Sequence, residues 1–105
     1  MGPKTKSLIQ ILDELVALLG RHGEAHWASW LESDLCRIRA CDFSGVTHFL
    51  SAYGGMGSFN DLMIHPSNGH RVDDGEIHRV NASLSDLRSR AWSFANDISR
   101  EAVFE

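Results

Sequence analysis

Long hydrophobic runs are missing from this 105-residue chain. No stretch nears the ~20 consecutive apolar residues that a membrane span requires, so no membrane partner is expected. Cysteine is scarce. Cys36 and Cys41 lie five apart, a spacing that fits no zinc pair and demands no disulfide, and reduced, buried thiols are expected. Proline occurs twice, and with 43% hydrophobic and 23% charged residues the chain is too apolar for a disordered tail. Basic charge is also short: 10 Lys+Arg face 14 Asp+Glu, a formal net charge of -4. Lys4 and Lys6 sit at the N-terminus and the arginines are dispersed, so a phosphate backbone finds no basic face and nucleic acid is not the expected ligand. An acidic chain instead suits a basic protein partner, because opposite fields raise the encounter rate.

What is present is helical periodicity, and it predicts one mainly α, compact helical domain over residues 1–105 with three longer helices and one short one. Leu8, Ile11, Leu12, Leu15, Val16, Leu18 and Leu19 recur at helical spacing within residues 5–20. Gly20 and Gly23 then close the helix. Trp27, Trp30, Leu31, Leu35 and Ile38 mark a second helix running to about Ala40, which a short connection folds back against the first. Asp42 or Ser44 can cap the short helix of Val46, Phe49, Leu50 and Tyr53, and a glycine-rich turn stops it. The run 58–65, closed by Pro66, reads as a short strand, and residues 66–79 as a mobile surface loop or hairpin arm; together they predict a small extended or β-hairpin insertion. The last helix carries Leu84, Leu87, Ala91, Phe94, Ile98 and Ala102 on one seam, with Asn81 or Ser83 as its cap.

The glycine-rich stretch around Gly54, Gly55 and Gly57 lacks the lysine and hydroxyl residue of a phosphate loop. It reads as a structural turn packed between Tyr53 and Phe59, with Asn60 and Asp61 capping backbone groups. Two functional readings follow. In the first, the chain is a non-enzymatic protein-binding module: the acids Asp73, Asp74 and Glu76 of the arm, with Glu24 and Glu32 of the second helix, steer a partner, and an aromatic edge at Tyr53 and Phe59 anchors it. In the second, His65, His70 and His78, with nearby carboxylates, form a small metal-dependent hydrolase or nuclease. No cofactor or metal is expected under the first reading, and neither Cys36 nor Ser51 has a recognisable base that would make it a nucleophile. The charged residues interrupting the first apolar stretch do not suit a secretory signal, so a cytoplasmic location is expected. An exposed helix face would also permit a homo-oligomer.

The run Tyr53-Gly54-Gly55-Met56-Gly57-Ser58-Phe59-Asn60-Asp61-Leu62, followed by His65-Pro66 and a terminal helix holding Leu87-Arg88-Ser89-Arg90-Ala91-Trp92, resembles a family of small uncharacterised bacterial helical proteins. Such single-domain acidic proteins are similar to immunity proteins of polymorphic toxin systems. That resemblance implies binding to a cognate basic toxin domain and neutralisation of the toxin by occlusion of its active site.

Overall fold

The computed structural model describes residues 2–54 and 56–103. Helix α1, Pro3–Arg21, starts at a proline, whose missing N–H is no loss where the first-turn donors are free in any case. It buries Leu8, Ile11, Leu12, Leu15, Leu18 and Leu19 along one face. The helix closes on Gly23, whose φ of 78° lets the Glu24 N–H reach back to Leu19 O at 2.9 Å. Glu24 then starts helix α2, Ala25–Arg39, by accepting the Trp27 N–H at 3.0 Å.

Helix α2 ends in the same way without a glycine. Cys41 takes the left-handed conformation at φ 59° while the Asp42 N–H bonds Arg37 O at 2.8 Å. Both cysteines lie at the surface, which corrects the expectation of buried thiols. Cys36 follows the buried Leu35 in a helix, where one residue turns the side chain by ~100° and out of the core stripe.

The short helix α3, Ser44–Leu50, packs on α2 and α4, and α4, Ile77–Val103, runs along α1 and α3. Lys4 pairs with Asp97 and Glu101, so the start of α1 meets the end of α4 and the two helices are antiparallel. Arg39 holds Asp13 with both carboxylate oxygens at 2.6 and 2.7 Å, tying α2 to α1. The core is a single cluster of leucines and isoleucines from α1, α2 and α4, closed by Val46, Phe49, Phe59 and Ile64. No helix among the described residues is long and apolar enough to cross a membrane.

The expected extended or β-hairpin insertion does not form. No strand occurs among the described residues, and three single 3-10 turns, Phe59–Asp61, Pro66–Asn68 and Asp74–Glu76, occupy the connection. Ile64 explains why. Its side chain is wholly buried, but its backbone pairs with a side chain in place of a neighbouring strand: the N–H donates to Asn81 Oδ1 and the carbonyl accepts from Asn81 Nδ2, both at 2.8 Å. Asn81 therefore lies inside α4 and caps nothing. The helix begins earlier, at Ile77, behind a capping box in which Asp73 accepts a backbone N–H and Glu76 accepts the Asp73 N–H.

Candidate functional site

Four groups of polar and aromatic side chains stand out, and the chain positions each through a helix end or crossing. The first lies where α3 crosses α2. A Cβ added to Gly45 would sit 2.9 Å from Asp34 O, Arg37 Cβ and Ile38 Cγ1, so only glycine permits this approach. One turn beyond Gly45, His48 reaches Asp34, with Nδ1 2.5 Å from Oδ1. The His48 ring stacks on Trp30 at 4.4 Å and 18°, and its side chain keeps 40% of its surface. Asp34 is wholly buried, and neither its Oδ2 nor Trp30 Nε1 has a partner among the described residues. Burial pushes the Asp34 carboxyl above its usual range, with His48 and Arg37 offsetting only part of the effect.

The second group is a latch of histidines between the α1–α2 turn and the segment before α4. His70 accepts the His65 N–H on Nδ1 at 3.1 Å, which leaves its proton on Nε2 to donate to Glu24 Oε1 at 3.1 Å. His22 donates through Nδ1 to Arg71 O at 2.6 Å, and the Arg71 N–H returns to His22 O at 2.9 Å. His70 and Arg71, within the segment 66–79 expected to be mobile, are thus tied to the α1–α2 turn, Arg71 by its backbone and His70 by its side chain. Glu24 is consumed by this latch. Burial pushes its carboxyl up, but the Trp27 N–H and then His70 outweigh that and hold it below the usual carboxylate range.

The third group surrounds the glycine-rich turn. Phe59 has no exposed surface and packs edge-on to Tyr53 at 5.7 Å and against Trp27 at 5.3 Å. As a partner anchor it is misplaced: it belongs to the core, under the Arg88 guanidinium, which donates to Phe59 O and Leu62 O. Tyr53 is half-buried; burial pushes its hydroxyl pKa up, and the hydroxyl donates to Arg88 O at 2.7 Å. Its ring lines a shallow cleft of about 260 Å³ with Asn60, Ser89, Trp92 and Ser93. Trp92, at 42% exposure, is one of four large apolar side chains left to solvent among the described residues, with Phe43, Met56 and Met63. In the turn, Asp61 accepts the Gly57 N–H at 2.9 Å, and the Phe59 N–H bonds Ala52 O at 2.9 Å. Gly54 stands in the bend, Asn60 lines the cleft and its side chain bonds no backbone group among the described residues, and Gly55 lies outside the described residues.

The fourth group is the acidic turn ahead of α4. Asp73 and Asp74 are exposed, and Glu76 is half-buried with Oε2 3.2 Å from Arg79. Glu32 is exposed on α2, away from this turn in the chain. The seven acids and aromatics expected at an interface are therefore divided: Asp73 and Glu76 line one cleft, Tyr53 another, and Glu24 and Phe59 face inward. Nor do His65, His70 and His78 converge. His65 Nδ1 accepts the Ser67 N–H, His70 turns to Glu24, and His78 is exposed on α4. Among the described residues no three His, Cys, Asp or Glu side chains gather in a way that could hold a metal ion.

The Asp34–His48 pair, with a separation of fourteen residues, was not among the residues singled out from sequence. Two helical residues on apolar faces gave no sign of it, and only the tight α2–α3 turn at Cys41 brings them together. One family model, described as a domain of unknown function, matches residues 20–73. That span contains the latch, the Asp34–His48 pair and the glycine-rich turn. No curated protein and no solved structure matches the chain.

Proposed function

Since the chain belongs to the DUF6966 family of domains of unknown function, we propose a function from its own surface: a non-enzymatic protein-binding module of the immunity type, which neutralises a basic toxin domain by covering its active site. The observation that supports this most is the acidic turn. Asp73 and Asp74 are exposed carboxylates on a segment that a capping box closes on one side and the His22–Arg71 backbone pair holds on the other. Carboxylates on a preordered turn bind with less ordering cost than the same groups on a floppy loop. With a net charge of -4, they attract a basic surface and speed the encounter. Trp92 and Tyr53, at the second cleft, provide the rigid aromatic area on which hot spots are built.

The test is affinity capture of a basic partner from the native lysate by the wild-type chain and by an Asp73→Lys/Asp74→Lys double variant. Capture by the wild type, with association slowed about tenfold or more at low salt in the variant, supports this placement. Unchanged association kinetics would remove the acidic turn from the interface. Capture of only acidic or nucleic-acid-bearing material would overturn the toxin-neutralising role.

A further inference from the structure

Most of the eight arginines are already engaged. Arg39, Arg79, Arg90 and Arg100 each meet a carboxylate of the chain. Arg88 is spent on two carbonyls, and Arg37 lies in the field of Asp34 and Asp42. Arg21 and Arg71 form no ion pair or side-chain hydrogen bond among the described residues, and both line the same open cleft of about 520 Å³. The other walls are His22, Val72, Asp73 and Glu76.

Arg71 is held in place. Its N–H and carbonyl are both bonded to His22, and its guanidinium lies alongside Gly23, with Cζ and Nε 3.8 Å from where a Cβ on that glycine would be. The two carboxylates of the cleft are already supplied with donors. Asp73 takes a backbone N–H of the capping box, and Glu76 takes the Asp73 N–H at 3.3 Å and the Arg79 guanidinium at 3.2 Å. The unused hydrogen-bonding capacity of the cleft is therefore mainly that of two planar guanidinium forks, and such forks match the oxygens of a tetrahedral oxyanion.

We propose that this cleft is a binding site for a phosphate-class oxyanion, held between Arg21 and Arg71 at the α1–α2 turn. The carboxylates of Asp73 and Glu76 confine the anion to the side of the cleft nearer α1, since like charges repel at short range. The phosphate can be free or can be the monoester group of a small metabolite. This site goes beyond the protein-binding reading and adjoins it: Asp73 borders the cleft, while Asp74 is not among its lining residues.

The test is a titration of the isotopically labelled full chain with inorganic phosphate, and in parallel with glycerol phosphate, against chloride at matched ionic strength. The Arg21 and Arg71 guanidinium signals and the Gly23 amide are followed by NMR. Saturable shifts with either phosphate and none with chloride are expected, and Arg71→Gln or Arg21→Gln should weaken binding about tenfold or more. Tighter binding of glycerol phosphate identifies the monoester as the ligand; equal or weaker binding identifies the free anion. Both substitutions change exposed side chains and leave the His22–Arg71 backbone pair intact. Should Arg71→Gln lose its native spectrum, Arg21→Gln removes the opposite fork and carries the test alone. Non-saturating shifts, the same shifts with chloride, or undiminished binding in Arg21→Gln would overturn the site.

Discussion

The Asp34 carboxylate is fully buried and meets a single side-chain partner, His48, whose Nδ1 is 2.5 Å from Oδ1, while Oδ2 has none among the described residues. A buried carboxylate with one oxygen unsatisfied is costly in its charged form. The chain keeps it at the junction of α2 and α3, where it fixes the rotation of α3 through His48 and so presents the stacked His48–Trp30 pair at the surface.

Asp34 should impose a recognisable pH dependence on stability. Its folded pKa is raised above the ordinary aspartate value, by burial first, with His48 opposing. A carboxyl with a raised folded pKa contributes its full stability below the unfolded value and loses it as pH rises through the folded value. Asp34→Asn removes that loss. Urea unfolding of both proteins between about pH 4 and 7 should show the variant gaining on the wild type as pH rises. Parallel curves would mean that the Asp34 carboxyl titrates alike in the folded and unfolded chains and that burial does not raise it.

The crossing that creates this pair depends on Gly45. Two of the atoms 2.9 Å from an added Cβ are the backbone oxygen of Asp34 and Cβ of Arg37, neither the far end of a flexible chain. Gly45→Ala must then push α3 away from α2 and should cost about 1–3 kcal/mol, as overpacking usually does. Gly20→Ala is the control: Gly20 lies in α1 with nothing within 4 Å of an added Cβ, and alanine there should be neutral or stabilising by up to about 1 kcal/mol. Chemical denaturation separates the two. Similar stabilities for both variants would show that α3 can yield without cost.

How far these contacts could be foreseen depends on whether they are local. The leucines of α1 and the seam of α4 repeat at helical spacing, and the structure buries the residues that spacing selects, among them Leu8, Leu12, Leu15, Leu84 and Ala91. The start of α4 lies ahead of the expected cap at Asn81 or Ser83 because two capping boxes compete. Ser83 and Asp86 have the spacing of a box, as Asp73 and Glu76 do, and only the recruitment of Asn81 by Ile64 shows that the helix is already formed at the first. The strand expected at 58–65 does not form because apolar content gives no information on what a backbone pairs with, and Asn81 takes both polar groups of Ile64. The site residues fared unevenly because exposure is a property of packing. Asp73 and Asp74 are exposed as expected, whereas Glu24 and Phe59 acquire partners from distant segments, His70 and Trp27.

Cys41 offers a direct gain in stability. It occupies the left-handed position that ends α2, with φ 59°, and it is exposed, so its thiol buries nothing in return. A side chain in this conformation costs about 1 kcal/mol relative to glycine. Cys41→Gly should raise stability by about that amount while leaving the Asp42 N–H bonded to Arg37 O. A loss of stability in thermal or urea unfolding would show that the greater freedom of glycine in the unfolded chain outweighs the relief of strain.

Glu24 should behave in the opposite sense to Asp34. Burial raises its pKa, but the Trp27 N–H and His70 prevail, so the folded value is below the ordinary glutamate value. A carboxyl with a depressed folded pKa contributes stability above its unfolded pKa and loses it as pH falls through the folded value. At neutral pH, Glu24→Gln keeps one acceptor for the Trp27 N–H but turns amide donors toward the His70 Nε2–H, or the reverse. One of these two bonds is lost, at a cost of about 1–3 kcal/mol. The difference from wild type should then shrink as pH is lowered below about 4.5, because protonated Glu24 faces the same conflict. A difference that stays constant across the acid range, measured by urea unfolding, would mean that the latch gains nothing from the charge of Glu24. Collapse of the His70 and His65 amide protection in the variant, with the α1 core still protected from hydrogen exchange, would place the loss in the latch and not in the core.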